Sequence, residues 1–301
     1  MAKKYITVNE YCRKQFGEKV YKLALSASVT CPNRDGTRGY GGCAFCSLGG
    51  SGDFAAPQAL DIGKQIEWAK NRLGEKGKNK RYIAYFQSFT GTYGNIDSLE
   101  RAYIESAEHP EIVGVSVATR PDCLGKREID MLKAVNDIKP LWVELGLQTS
   151  NDETAHLFNR GYETKEYDEA LALLKPLGVH IITHIIFGLP HETREDMLNT
   201  VRYVAGKTDG IKLQLLHVLK NTRLAQSYEN GEFKCMEMNE YIDTVCDAVE
   251  LFPEETVIHR LTGDGAKKDL LAPLWSADKK NVLNSLNREL CKRNIIRKME
   301  V

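Results

Sequence analysis

Three cysteines, Cys31, Cys43 and Cys46, stand in the stretch CPNRDGTRGYGGCAFCSLGGSG with the spacing C-x11-C-x2-C, among seven glycines. Thiolates are soft ligands that select iron–sulfur clusters, zinc or copper. A four-iron cube normally takes four protein thiolates. Three thiolates leave one iron without a protein ligand, open to a substrate or cofactor. The glycines suit such a loop, because they let backbone N–H groups approach cluster sulfides and supply positive φ values. Phe45, between the last two cysteines, sets a ring beside the cluster. The competing chemistry is a zinc loop or a thiol redox pair, since a lone Cys-x2-Cys is common to both. A closed zinc site wants four ligands. Yet no histidine lies between Cys12 and His109, and the chain has only one Cys-x2-Cys.

The elements that must hold this loop are legible from periodicity. Thr7-Val8-Asn9-Glu10 has the form of a capping box and starts a short helix through about Phe16. Strand-like runs occupy residues 21–25, 82–87, 113–119, 141–147, 180–187 and 211–216. Amphipathic stretches at 60–73, 96–107, 126–136, 165–174 and 194–205 separate or follow them. Near-continuous apolar strands alternating with helices predict a parallel sheet covered by helices, either an open barrel or a doubly wound sheet. A weaker seventh strand is expected at 256–261 and a basic helix at 280–298. We expect a core over 1–220 that includes the loop 31–52, with 221–301 as a helical and strand extension packed on it.

In either fold, chemistry collects at the C-terminal ends of the strands. The polar residues fall there: Gln87, Ser88 and Thr90 after the second strand, Arg120 and Cys123 after the third, Gln148 after the fourth, and Gln214 and His217 at the sixth. Glu144 and His184 lie inside apolar strands, where a polar group needs a partner or a ligand. The plainer reading of each is a satisfied core histidine, a Glu144 paired with a lysine or arginine, and a Cys123 acting as a small hydrophobe. Arg160, in Asn159-Arg160-Gly161, reads equally as a solvated helix end. Cys12, Cys235, Cys246 and Cys291 show no ligand spacing and are assigned to structure.

The composition, 42% hydrophobic and 27% charged over 301 residues, describes a globular chain with a sizeable core. No apolar run approaches the ~18 residues of a membrane span, and MAKKYITVNEYCRK lacks the apolar region of a secretory leader. A cytoplasmic chain without membrane association is expected, and in that compartment eight cysteines argue against a disulfide framework. The net charge is zero. Three basic stretches nevertheless stand out, at 1–24, 70–81 and 279–301, and point toward a polyanionic partner.

The three-cysteine loop followed by six β-α units resembles the radical S-adenosylmethionine (SAM) superfamily. Cys31-Pro-Asn-Arg-Asp-Gly-Thr, Gly41-Gly-Cys-Ala-Phe-Cys and Ala118-Thr-Arg-Pro-Asp-Cys are similar to its YhcC/YtqA branch, related to the Elongator catalytic subunit. Gln148 with Arg160 and the Phe187-Gly-Leu-Pro-His-Glu-Thr run fit the same branch. The common superfamily spacing is C-x3-C-x2-C; the eleven-residue insertion here agrees with the branch. The resemblance implies a partial (β/α)6 barrel and a [4Fe–4S] cluster on Cys31, Cys43 and Cys46, with SAM chelating the open iron. It further implies Phe45 against the adenine, the turn of Gln87, Ser88 and Thr90 at the methionyl amine, and Arg160 at its carboxylate. Gln148 and His184 would approach the ribose, and Ile186 and His217 would border the adenine. A 5′-deoxyadenosyl radical would then abstract hydrogen in a dry interior.

The branch is associated with the tRNA wobble uridine, and the resemblance implies conversion of carboxymethylaminomethyl-uridine towards aminomethyl-uridine, ahead of a separate methyltransferase. An electron donor such as flavodoxin or ferredoxin is implied as well. No residue is assigned to the substrate chemistry; Cys123, Arg120 and Lys220 are the candidates, the last two as holders of a substrate carboxylate. The alternatives are a radical SAM enzyme for a small metabolite or cofactor precursor, and a zinc-stabilised RNA-binding protein without catalysis.

Overall fold

The computed structural model describes residues 5–50, 52, 54–263, 265 and 267–296. The chain runs β1 (Ile6–Thr7), α1 (Val8–Phe16), β2 (Tyr21–Leu25), α2 (Ile62–Leu73), β3 (Tyr82–Phe86), α3 (Ile96–Glu108), β4 (Ile112–Thr119), α4 (Lys126–Ile138), β5 (Leu141–Gln148), α5 (Asp152–Leu157) and α6 (Thr164–Leu174). It continues through β6 (His180–Phe187), α7 (Arg194–Val204), β7 (Gly210–Leu215), β8 (Val218–Leu219), α8 (Arg223–Glu229), α9 (Met238–Leu251), β9 (Val257–Arg260), β10 (Leu270–Ala272) and α10 (Lys279–Lys292). The capping box at Thr7 forms as expected: Glu10 N donates to Thr7 Oγ1 and Thr7 N to the Glu10 carboxylate.

Among the described residues, eight strands form one sheet in the order β1-β9-β7-β6-β5-β4-β3-β2, with every neighbouring pair parallel. From β2 to β7 the order follows the chain without reversal, so the switch point of a doubly wound sheet is missing. Side chains alternate along each strand. On β5, Leu141, Val143, Leu145 and Leu147 join the main apolar core with residues of the covering helices. Trp142 belongs to a separate inner cluster, and Glu144, Gly146 and Gln148 line a cavity.

The sheet is rolled into a half-barrel, and one contact proves the curvature. In a flat sheet, β2 and β5 would lie roughly 14 Å apart, three spacings of just under 5 Å. Lys22 Nζ on β2 nevertheless sits 2.6 Å from Glu144 Oε1 on β5. Lys212, two strands away on the other side, meets the same carboxylate. The predicted seventh strand is β9, lodged between β7 and β1. The expected C-terminal helix ends at Lys292; residues 293–296 are not helical, and 297–298 of that expectation lie outside the described residues. Among the described residues no helix is long and apolar enough to cross a membrane.

Candidate active site

At the C-terminal ends of the strands lies a cavity of about 140 Å³, open to solvent. Cys31, Cys43 and Cys46 all line it, on a loop held by its own backbone. Arg34 N donates to Cys31 O, Gly42 N to Asn33 O and Cys46 N to Cys43 O, at 2.8, 2.8 and 3.0 Å. Gly42, with φ of 73°, turns the chain into Cys43, where a Cβ would come within 3.0 Å of Arg34 Nε. Gly50 closes the loop: Phe89 N donates to its carbonyl at 2.7 Å, and a Cβ there would lie 2.3 Å from the Phe89 ring. Arg34 itself donates to Ser47 O (2.5 Å) and Leu48 O (3.2 Å) and lies over the Phe89 ring.

None of the cysteines is in a disulfide. A hydrogen bond from Cys43 holds the Cys46 thiol down to about 7 against the effect of burial, with Arg34 and Arg120 adding their charges. Cys43, as the donor in a buried pair, is pushed well up. A thiolate at neutral pH is the form that binds metal.

The other walls come from the strand ends. Gln87, Phe89 and Thr90 follow β3; Ala118 and Thr119 end β4 and Arg120 follows it; Gln148 ends β5; His184 and Gln214 come from β6 and β7. Phe89 and Gln148 both sit at positive φ, 52° and 65°, a strained conformation for residues other than glycine. Gln148 folds back with its amide nitrogen 2.9 Å from Leu147 O and 3.1 Å from Gly146 O. Phe45 lines the cavity against Phe158, ring centroids 5.3 Å apart. The hydroxyl of Thr90 is fully buried on this wall and has no protein partner. Three free thiols lining one cavity beside an unmatched buried hydroxyl are a donor set that suits a three-thiolate cluster with a polar cofactor.

The floor is a polar hub of which the sequence singled out only Glu144, with its expected lysine or arginine partner, and His184. Six adjacent strands each contribute one side chain. Lys22 Nζ (2.6 Å) and Ser116 Oγ (2.8 Å) donate to Glu144 Oε1; Tyr85 OH (3.0 Å), His184 Nε2 (2.7 Å) and Lys212 Nζ meet Oε2. Burial works to raise the Glu144 pKa, but Lys212, Lys22 and His184 overcome it and hold the carboxylate well below its usual range. Burial pushes His184 down to about 4, helped by Lys212, so the imidazole is neutral and its Nε2–H is the donor. Its Nδ1 then faces Gln214 Nε2 at 3.4 Å. Lys212 is also driven down, by burial and by the charges of Lys22 and Arg260, with Glu144 opposing.

Cys31, Cys43, Cys46, Phe45, Gln87, Thr90, Gln148, His184 and Arg120 therefore share one cavity. The remaining candidates do not line it. Arg160 is fully buried, donating to Tyr162 O, Leu147 O and Thr149 O and pairing with Asp152, so its guanidinium braces the β5–α6 connection. Ser88 packs at Gly52, Ile186 lies in a small apolar cluster, and His217 packs on Gly263 and Gly265. Lys220 Nζ contacts Lys268 O at 3.3 Å, and the Cys123 thiol, its pKa raised by burial, contacts Asp122 at 3.8 Å. Arg120 grips Asp122 through both of its oxygens.

Among the described residues, none from the basic stretches lines the cavity. Arg81 donates to Phe16 O and Glu18, tying the approaches to β2 and β3 together at the end opposite the cavity. Lys70 pairs with Glu67 and Glu111, and Arg293 with Asp243, Asp247 and Glu289. The parts of these stretches at 1–4 and 297–301 lie outside the described residues.

Comparison with known proteins agrees with this architecture. The Radical SAM superfamily profile matches residues 28–204 and the Radical_SAM C-terminal domain profile residues 208–292. YtqA of Bacillus subtilis is 44% identical over 289 residues, 96% of this chain and 90% of that protein. YhcC of Escherichia coli is 36% identical over 92% of this chain and 89% of its own length. A tRNA uridine(34) acetyltransferase of Dehalococcoides mccartyi is 32% identical over 173 residues, 56% of this chain and 37% of that one. The structure of the archaeal Methanocaldococcus infernus Elp3 shares the fold, with a TM-score of 0.70 at 19% identity, covering 92% of this chain and 63% of that one. The chain, which carries three free thiols at the mouth of a parallel half-barrel, belongs to the radical SAM superfamily.

Proposed function

We propose that this chain modifies the wobble uridine of tRNA, taking carboxymethylaminomethyl-uridine towards aminomethyl-uridine. The observation that carries the reading is kinship over more than half the chain with a tRNA uridine(34) acetyltransferase, joined to an open cavity that three thiols share. Cys31, Cys43 and Cys46 hold a [4Fe–4S] cluster. When bound, the cluster and SAM supply a 5′-deoxyadenosyl radical able to take hydrogen from an unactivated C–H bond.

The residues of the chain do the rest. Thr90 and Gln87 meet the polar groups of the cofactor, and Phe45 gives its base an apolar face. Gln148, held at positive φ, and His184, fixed as the Nε2–H tautomer by Glu144, orient what lies between cofactor and floor. The hub binds its own donors so completely that it presents few open sites to water, which protects a reactive species. A nucleotide flipped from its stack enters the open mouth. Arg34, Arg38 and Arg223, around the cysteine loop, would contact phosphates together with the basic stretches. Flavodoxin or ferredoxin would deliver the electron, and a separate methyltransferase would consume the product.

Mass spectrometry of wobble nucleosides from cells lacking the gene tests the reading. Accumulation of the carboxymethylaminomethyl precursor, reversed by the intact gene but not by Cys43→Ser, is the expected result. An unchanged nucleoside profile would overturn the tRNA substrate and leave a small metabolite in its place.

A further inference from the structure

Arg120 directly follows β4 as a buried cation, and its guanidinium is fixed from several directions. Nε and Nη2 donate to the two carboxylate oxygens of Asp122, each at 2.8 Å. Nη1 donates to Arg160 O at 2.9 Å, and the guanidinium lies over the Tyr162 ring, 4.7 Å from its centroid. The same Nη1 reaches 4.0 Å from Cys31 Sγ. One edge of the fork thus faces Asp122 while Nη1 faces the sulfur, so the cation stands between the Asp122 carboxylate and Cys31 Sγ. Asp122 has no exposed side-chain surface and also receives Arg38 at 3.7 Å. Nothing in the proposed handling of cofactor or nucleotide uses Arg120 or Asp122.

We propose that Arg120, aimed by Asp122, sets the reduction potential of the cluster at its Cys31 corner. The proposal rests on the three-cysteine cluster reading. Reduction adds negative charge to the cluster and its thiolates. A fixed positive charge and an N–H donor at a ligand sulfur favour the reduced state and raise the potential. Arginine suits the task because it cannot lose its charge and its planar fork matches a carboxylate. The pairing with Asp122 makes a buried guanidinium tolerable and fixes its direction. The other thiols have neighbours of the same kind: Asn33 Nδ2 lies 3.9 Å from Cys43 Sγ, and Arg34 stands by Cys46. Arg120 differs in carrying a full charge locked by a buried counter-charge.

The experiment is an EPR-monitored redox titration of anaerobically reconstituted protein, without SAM, after iron and sulfide contents have been matched. Arg120→Gln should shift the midpoint to more negative potential, and Arg120→Lys, which keeps the charge, should shift it less. Asp122→Asn removes a buried negative charge beside the cation and should shift the midpoint the opposite way. That reversal of sign separates electrostatics from damage, since two disrupted loops would not move in opposite directions. Equal midpoints for wild type and loaded Arg120→Gln, or an Asp122→Asn shift in the negative direction, would overturn the role of Arg120 while leaving the cluster intact. If Arg120→Gln holds no cluster, the sign of the Asp122→Asn shift decides alone. A wild-type protein that takes up no iron–sulfur cluster would overturn both readings.

Discussion

Replacing Glu144 by glutamine would remove one charge from the floor of the barrel and leave its shape nearly unchanged. The carboxylate has no exposed side-chain surface and is met by two lysines, a tyrosine, a serine and a histidine. Lys22 retains about a quarter of its side-chain exposure (26%) and can turn to water, but Lys212, at 4%, cannot. The variant therefore leaves one ammonium buried without its counter-charge. Breaking a buried pair from one side costs about 3–5 kcal/mol, a large share of the 5–15 kcal/mol typical of a domain. Urea unfolding followed by tryptophan fluorescence and circular dichroism measures this loss directly.

Two further results should accompany it. Lys212 is already driven below its usual 10.5 in the intact protein, and losing Glu144 removes the group that opposes this. Between the depressed folded pKa and the unfolded value, the unfolded chain binds more protons, so stability must rise with pH. The deficit of Glu144→Gln should shrink as pH is raised from 7 towards 10. Adding Lys212→Met removes the stranded charge and should recover a substantial part of the loss, a coupling of about 1–3 kcal/mol. A Glu144→Gln variant within about 1 kcal/mol of wild type at pH 7, or a double variant no more stable than the single one, would refute the reasoning.

Other substitutions separate roles that the structure assigns to neighbouring residues. Serine at position 31, 43 or 46 should abolish iron retention after anaerobic reconstitution and 5′-deoxyadenosine formation, read by metal analysis and chromatography, while the apoprotein keeps its far-ultraviolet dichroism. Arg160→Gln should destabilise the fold by about 2–4 kcal/mol, because it leaves buried carbonyls of Leu147, Thr149 and Tyr162 unmatched. If that variant, still folded, instead shows normal urea stability and a lost affinity for SAM, the bracing role is wrong. On acidification, His184 and His180, both held near 4 chiefly by burial, resist protons that the unfolded chain takes up near 6.5. Their contribution is complete above about 6.5 and disappears as pH falls towards 4, roughly 3 kcal/mol for each group. Urea midpoints that stay flat across that window would contradict it.

Much of the fold could be read from the sequence because its signals are repetitive. Six apolar strands alternating with amphipathic helices leave a parallel sheet as the economical solution, and the order β2 to β7 then needs no crossing of connections. The cysteine loop was equally plain, since ligand spacing is written in the chain itself. What escaped were features set by distance in space. β1 is two residues long and exists only by pairing with β9, some 250 residues later, which no local pattern announces. α5, at six residues, is too short for helical periodicity to show.

The hub was the more instructive omission. Gly-Ile-Lys-Leu-Gln-Leu of β7 reads as an apolar strand with two interruptions, yet Lys212 and Gln214 are two apart and so share the inner face. The same spacing holds for Glu144, Gly146 and Gln148 on β5 and for Ile182, His184 and Ile186 on β6. Taken strand by strand, each polar residue is an isolated anomaly whose best explanation is a local partner. Taken across the barrel at common height, Lys22, Tyr85, Ser116, Glu144, His184 and Lys212 become one object, because rolling the sheet brings residues from six strands to a single carboxylate. The curvature that makes the cavity also gathers its floor.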